Sequence, residues 1–332
     1  MAEAAPIGKT VRGGGQSTDL DRLRARAVWM YFVEGKTQSE IAQALGVNRI
    51  AIVRCLADAR RRNEVRITIA APMAELAGIE RAVQDTYGIE RVIVAPVSDP
   101  EADPTQVIAA AAGKFIGEEM RSGLTVGVGW GRTLHASLPF IAGRTLDDFR
   151  VVSLLGGIAA ARRFNPAEFA WQFAELFQGE GFLIPAPAIV DSPETKHALL
   201  ERCGLAEIFA MVDRLDIALL SVGGIATITT SYRMGHLSEP ERRALVEAGA
   251  VGDILYNFVN EQGRTVDNQV NARAIAVDLD KLRRTPQRVV VSGGREKVAV
   301  LRGAIARLAP TVLITDEITA GALLDRKTAE PD

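Results

Sequence analysis

A small all-α helix-turn-helix module followed by a mainly parallel α/β domain is the fold class this sequence predicts, and three observations carry it. Apolar positions between residues 19 and 63 recur at helical spacing, broken by capping and turn residues. From residue 91 onward, short β-rich apolar runs alternate with helical stretches, the pattern of a parallel sheet covered by helices. Charge is uneven: residues 20–66 hold ten Lys/Arg against five Asp/Glu, a balance of +5, whereas 67–332 carry −7. A basic head on an acidic body points to nucleic acid at one end and a different task at the other. The expected boundaries are a mobile tail over 1–18, a helix-turn-helix domain over 19–66, a linker over 67–88 and a larger domain over 89–332.

In the head, Asp19 is placed to cap a first helix that runs to about Val33, with Leu23, Ala27, Met30 and Tyr31 along one stripe and Gly35 ending it. Thr37-Gln38-Ser39-Glu40 has the Thr-x-x-Glu form of a capping box and opens a second helix whose inner face is Ile41, Ala44 and Leu45. Gly46-Val47-Asn48 reads as the turn: Gly46 accepts positive φ, Val47 plugs the angle between helices, and Asn48 caps the next helix. This third helix runs to about Asn63, with Ile52, Cys55, Leu56 and Ala59 toward the core. Recognition helices read base edges near their N-terminal end, so Asn48, Arg49 and Ala51 are the candidates for direct readout, Arg54 for base or phosphate, and Gln38 and Ser39 for the backbone. Ile50, Ala51 and Val53 make the outer face apolar, which fits either thymine-methyl contacts or packing on a neighbouring element. Arg60, Arg61 and Arg62 are phosphate anchors or a solvated face. A helical bundle for oligomerisation is the alternative to a DNA-binding head.

In the body, strand-like runs at Arg91–Val97, Leu124–Val128 and Phe149–Leu154 are each followed by a helical pattern, at Pro104–Arg121, Arg132–Ile141 and Pro166–Phe177. Further strands are expected at Ile217–Val222, Arg288–Ser292 and Val312–Thr315, the last two followed by helices at Glu296–Leu308 and Ile318–Leu324. Val289-Val290-Val291 is apolar on both faces, as a buried parallel strand should be.

Composition closes off several classes. The 332 residues are 48% hydrophobic and 24% charged, with a net charge of −2, so a core can form and any DNA contact must be local. Cys55 and Cys203 cannot build a disulfide framework, no secretory signal or membrane span is evident, and a cytoplasmic protein with no membrane partner is expected. His135, His197 and His236 lie far apart with no paired cysteine spacing, so neither a metal nor another cofactor is expected, and no catalytic set is apparent.

Chemistry gathers on strand-to-glycine turns. Thr125 to Thr133 (TVGVGWGRT) follows a strand and opens a helix, so backbone amides, Arg132 and Thr133 can close on an anion. It is neither a dinucleotide fingerprint, since the third glycine position holds Arg132, nor a Walker loop. Leu155-Gly156-Gly157, Val222-Gly223-Gly224 and Ser292-Gly293-Gly294 have the same form, and a parallel sheet gathers such turns on one edge. Lys297 can turn its amine into that crevice or face solvent; Asp253, after Gly249-Ala250-Val251-Gly252, can accept sugar hydroxyls or cap a helix. The two would formally serve a phosphosugar isomerase.

These residues together resemble the SorC/DeoR-type sugar-binding transcriptional regulators of bacteria, from about Asp19 to Leu324. The carriers are Tyr31 to Ala42 (YFVEGKTQSEIA), Val128 to Leu134 (VGWGRTL), Gly249 to Ile254 (GAVGDI), Val291 to Gly294 (VSGG) with Lys297, and Leu313 to Glu317 (LITDE) with Ala320, Leu323 and Leu324. The resemblance implies an effector domain like phosphosugar isomerases and glucosamine-phosphate deaminases in fold, kept for sensing rather than turnover. It implies that Gly129, Gly131, Arg132 and Thr133 hold the effector phosphate and that Gly156, Gly157, Asn165, Arg233, Asp253 and Lys297 contact the sugar. It also implies palindromic operator DNA as partner, a small sugar, polyol or sugar-phosphate effector, and a homodimer or homotetramer. Ile50, Ala51 and Cys55 depart from the polar residues expected on the recognition helix, so no operator sequence carries over. The expected function is a non-enzymatic regulator, a repressor of a carbohydrate or polyol operon; the alternatives are a phosphosugar-processing enzyme with a DNA tether and a constitutive architectural DNA binder.

Overall fold

The structure is a computed structural model that describes residues 15–62, 64–65, 74–158, 165–225 and 237–325. It divides into two units, Met1–Ala70 and Ala71–Asp332.

Among the described residues, three helices make the first unit: α1 (Gly15–Phe32), α2 (Gln38–Leu45) and α3 (Arg49–Arg61). Helix α1 starts a turn earlier than expected, so Asp19 lies inside it and is not its cap; the polar residues 15–18 carry no apolar signal that would reveal that turn. The capping box of α2 forms: Thr37 Oγ1 accepts from Glu40 N at 3.3 Å, and Glu40 Oε2 accepts from Thr37 N at 2.7 Å. Gly46 ends the helix at φ +66°, where a side chain would be strained. The buried face of α2 is Ile41 with Ala42, while Ala44 is exposed, because α2 packs on α1 as well as α3 and its inner face rotates toward residue 42. Ile52, Leu56 and Ala59 of α3 are buried, with Cys55 at the margin. Arg24 donates to both carboxylate oxygens of Glu64, at 2.6 and 2.7 Å, and to Asp21, fastening α1 to the chain just past α3.

The second unit begins where a linker is expected from the sequence. Residues 77–87 instead form α4 (Ala77–Tyr87), with Val83 fully buried and Tyr87 donating its hydroxyl to Leu323 O at 2.7 Å. Leu76, Ile79, Val83 and Tyr87 recur at helical spacing along one side, and this stripe packs into the core on that side of the sheet, so the linker expectation is overturned. Then come β1 (Arg91–Ala95), α5 (Thr105–Glu119), β2 (Thr125–Val128), α6 (Arg132–Ser137), β3 (Arg150–Ser153), α7 (Pro166–Leu176) and β4 (Glu180–Phe182). After α8 (Pro193–Arg202) and α9 (Leu205–Met211) come β5 (Ile217–Leu220), β6 (Gly223–Gly224), α10 (Glu239–Glu247), β7 (Gly252–Ile254) and β8 (Asn257–Val259). The chain finishes with α11 (Gln269–Arg273), α12 (Leu279–Leu282), β9 (Gln287–Val291), α13 (Val298–Leu308), β10 (Val312–Asp316) and α14 (Glu317–Leu324).

Among the described residues, seven strands form one parallel sheet in the order β1-β10-β9-β5-β2-β3-β4. Successive side chains alternate between its faces. Val92, Ala218, Leu220, Val290 and Leu313 meet α4, α13 and α14 on one side. Val126, Val128, Ile217, Val289, Val291 and Ile314 meet α5, α6 and α7 on the other. Burial on both faces explains the continuous apolar runs of these strands. From β2 the chain winds outward through β3 and β4, then returns to β5 and winds the other way through β9 and β10, so the connections part between β2 and β5. Crevices at such a divide, beyond the carboxyl ends of the strands, are where open α/β sheets take ligands. Strands β6, β7 and β8 form a separate antiparallel sheet against that edge.

Candidate functional site

The divide between β2 and β5 is furnished by loops from four strands. After β2, Gly129 donates its amide to Leu219 O at 2.8 Å, and Gly131 swings to φ +133° beside Ser221, which comes directly after β5. Arg132, Thr133 and Leu134 open α6, and the first amides of a helix have no intrahelical acceptor, so they face outward as donors. Thr133 is buried and Arg132 is partly exposed, bonded through Nη1 to Asp103 Oδ2 at 2.9 Å.

Strand β7 brings Asp253 to the same edge by pairing with β6: Gly223 stands opposite Asp253 and Gly224 opposite Gly252. The fit is tight. A Cβ on Gly252 would lie 2.2 Å from Gly223 O, a backbone clash, and one on Gly223 would lie 2.2 Å from Asp253 Oδ1, so a side chain at 223 would displace that carboxylate. The β7–β8 turn places Leu255 at φ 55° and Tyr256 at φ 58°, two non-glycine residues in the left-handed region, and strain of this kind persists only where surrounding contacts enforce it. Here Tyr256 stacks on Trp130 with ring centroids 5.2 Å apart, and its amide donates to Asp253 Oδ2 at 2.9 Å. Asp253 is 2% exposed, and its Oδ1 has no hydrogen-bond partner among the described residues. Burial pushes its carboxyl pKa up to about 7, against the opposing pull of the Tyr256 amide and the Lys297 cation.

Lys297 ends the 3₁₀ turn Arg295–Lys297 between β9 and α13, beside β6. Burial lowers its pKa, and the charges that act on it are those of Glu296, Arg132, Asp103 and Asp253. Arg132, Asp253 and Lys297, which sequence reasoning gathers only by topology, are therefore electrostatic neighbours. A cleft of about 350 Å³, within the size range of small-molecule sites, is walled by residues 97 and 100–104, Arg132, Gly294–Glu296, Asp316 and Ile318; of the three charged residues Arg132 lines it, while Asp253 and Lys297 do not.

The other expected site residues fare differently. Gly156 donates its amide to Ile275 O and Gly157 to Ala186 O, at 2.9 and 2.8 Å, so neither amide is available to a sugar. A Cβ on Gly156 would lie 2.6 Å from Ala186 O, so close backbone packing explains that glycine. Asn165 caps α7, accepting from Ala167 N and donating to Ile158 O at 3.0 and 2.7 Å, which engages both ends of its amide. Arg233 lies outside the described residues, as does His236. Sequence reasoning misses Asp103, Ser221 and Tyr256, and also Ser292 Oγ and Thr315 Oγ1, buried hydroxyls at the carboxyl ends of β9 and β10 with no partner among the described residues. The Asp253-x-x-Tyr256 spacing of a turn closed by a side chain is the one available signal. Asp316 is engaged in structure, holding Gly294 N, Thr319 N and Thr319 Oγ1.

In the first unit the candidate DNA residues cluster where α2 and α3 begin. Gln38 Oε1 accepts from Arg49 Nε at 3.3 Å, and both border a surface cleft of about 600 Å³ with Tyr31, Lys36, Thr37 and Ser39. Asn48 Oδ1 accepts from Ala51 N at 2.7 Å, so its oxygen serves as the cap and only its amide nitrogen is left for other contacts; Ala51 is half-buried. Arg54 is exposed and has no ion pair among the described residues. Arg60 lies 5.8 Å from the Phe32 ring, Arg61 pairs with Asp58, and Arg62 pairs with Asp21 at 3.6 Å, so these three cations have partners inside the head.

Comparison with known proteins agrees over most of the chain. Residues 71–325 match the family model described as "Putative sugar-binding domain". The erythritol catabolism regulatory protein EryD of Brucella abortus is 29% identical over 306 residues, covering 92% of this chain and 96% of EryD. The deoxyribonucleoside regulator of Bacillus subtilis is also 29% identical, covering 92% of this chain and 98% of that protein. Among solved structures, the full-length sorbitol operon regulator SorC of Klebsiella pneumoniae superposes with a TM-score of 0.72 at 23% identity, covering 92% of this chain and 99% of SorC.

Proposed function

The chain belongs to the sugar-binding domain family of SorC/DeoR-type transcriptional regulators, and from that premise we propose that it is a DNA-binding repressor of a carbohydrate or polyol operon, controlled by a small effector. The effector is a sugar, a polyol or a phosphate ester of either. The observation that carries this reading is that Lys297, in the turn after β9, feels the charges of both Arg132, which opens α6 beyond β2, and Asp253, buried on β7 with an unpartnered Oδ1 among the described residues.

Arg132 and the amides that open α6 suit a phosphate or another anion. Asp253 and Lys297 supply a hydroxyl acceptor and a hydroxyl donor a short way off, the pairing a polyol chain needs. Thr133 and Gly129–Gly131 shape the loop between them. Gln38, Ser39, Arg49 and Arg54 hold and read a palindromic operator, with paired chains presenting two heads about 34–36 Å apart. No helix among the described residues is long and apolar enough to cross a membrane. The names of the relatives favour regulation over phosphosugar turnover, the reading that Asp253 and Lys297 would also formally allow.

The test is thermal unfolding of the pure protein against erythritol, sorbitol, deoxyribose and their phosphate esters. A ligand at 100 times its Kd adds about 2.7 kcal/mol. One compound class should raise the melting temperature, and Arg132→Ala should cut the rise by about half or more for its phosphorylated members. Absence of any shift across the panel with the fold intact would contradict the reading.

A further inference from the structure

The outer face of α3 carries an apolar ridge that no described residue of the head covers. Ile50 is 64% exposed and Val53 44%, and Ala57 continues the line at the next turn. The inner face of the same helix is fully employed, with Ile52, Leu56 and Ala59 buried against α1 and α2. The ridge therefore has no packing role among the described residues. Arg49 and Arg54 stand on either side of it, Lys36 and Ser39 border the adjoining cleft, and the surrounding sequence carries +5. An apolar strip framed by exposed cations is complementary to one partner in particular. The major groove admits a helix, its phosphate rims are anionic, and the C5-methyl of thymine is the apolar feature on its floor.

Resting on the operator-binding reading above, we propose that Ile50 and Val53 are specificity-determining residues that read thymine methyl groups in the major groove, while Arg49 and Arg54 fix the register. Ile50 and Val53 are three residues apart, about 4.5 Å along the helix axis, against about 3.4 Å between successive bases on a strand. They therefore meet thymines on the same or neighbouring base pairs of each half-site. The capped start of α3 supports this, because Asn48 fixes the helix end that enters the groove. Sequence is thus read on this face by apolar contact, with the arginines adding hydrogen bonds at its edges.

The experiment selects binding sites for the full-length protein from random duplexes, then replaces each thymine of the enriched half-site singly with deoxyuridine, which differs only by the methyl group. Wild-type protein should lose roughly fourfold in affinity at one or two positions, the value of burying about one methyl. Ile50→Ala and Val53→Ala should bind the thymine duplex more weakly by a similar factor and become indifferent to deoxyuridine at their own positions. Indifference of the wild type at every thymine, or a half-site without thymine, would overturn the proposal. So would a change in the solution mass of the two variants, which would assign the ridge to a second copy of the chain. Failure of the selection to enrich any sequence would overturn the operator reading itself.

Discussion

Asp253 concentrates the physical tension of the body. An aspartate in an unfolded chain ionises near its ordinary value of 3.8, whereas here burial holds the proton until about pH 7. Between those values the folded state binds the extra proton, so this residue's contribution to stability falls as pH rises through the interval. Asp253→Asn removes that dependence. The melting temperature of the variant relative to wild type, measured without ligand, should rise between about pH 5 and about pH 8; a constant difference would contradict the burial argument. A ligand hydroxyl donated to Oδ1 favours the ionised form. Effector binding near pH 7 should therefore release protons, seen as a dependence of the calorimetric heat on buffer ionisation enthalpy and absent in Asp253→Asn. Arg132 is different in kind. Its pair with Asp103 is exposed, so Arg132→Ala should change stability by less than about 1 kcal/mol. The loss of a charge-assisted bond should still weaken a phosphorylated effector by about tenfold or more, measured by titration calorimetry.

Among the elements, two short pieces decide whether the sites exist. Thr37→Ala removes the capping box of α2 and should cost the head about 1 kcal/mol, lowering operator affinity without altering effector binding. Gly223→Ala drives a Cβ onto Asp253 Oδ1 and should abolish the response to effector while the DNA affinity of the ligand-free protein stays within about twofold. These two elements also mark how far the sequence can be read. The capping box, the Gly46 turn and the continuous apolar runs of β5, β9 and β10 depend on residues close in sequence, and each is legible there. The pairing of β6 with β7 joins residues some thirty apart through glycines and buried apolar groups with no periodic signal, so the setting of Asp253 is not. Asn165, Gly156 and Gly157 look like ligand residues because caps and tight packing use the same residue types as binding loops. Helix α4 is legible as well, since Leu76, Ile79, Val83 and Tyr87 fall at helical spacing; the linker reading overlooks that stripe because the segment lies between the basic head and the first strand.

In the whole molecule, regulation requires that two chemistries housed in two units be linked. An effector that favours one arrangement of paired heads by about 1–3 kcal/mol changes operator affinity by about 5–150-fold, and operator must change effector affinity by the same factor. Reciprocity separates linkage from coincidental binding of two ligands by one chain. The decisive experiment is therefore a pair of titrations on the full-length protein with the effector identified by thermal unfolding: operator affinity measured with and without saturating effector, and effector affinity measured with and without saturating operator. Linkage predicts a shift of at least about fivefold in the first and an equal factor in the second. Operator affinity that is identical in the presence and absence of a saturating, stabilising effector would contradict it.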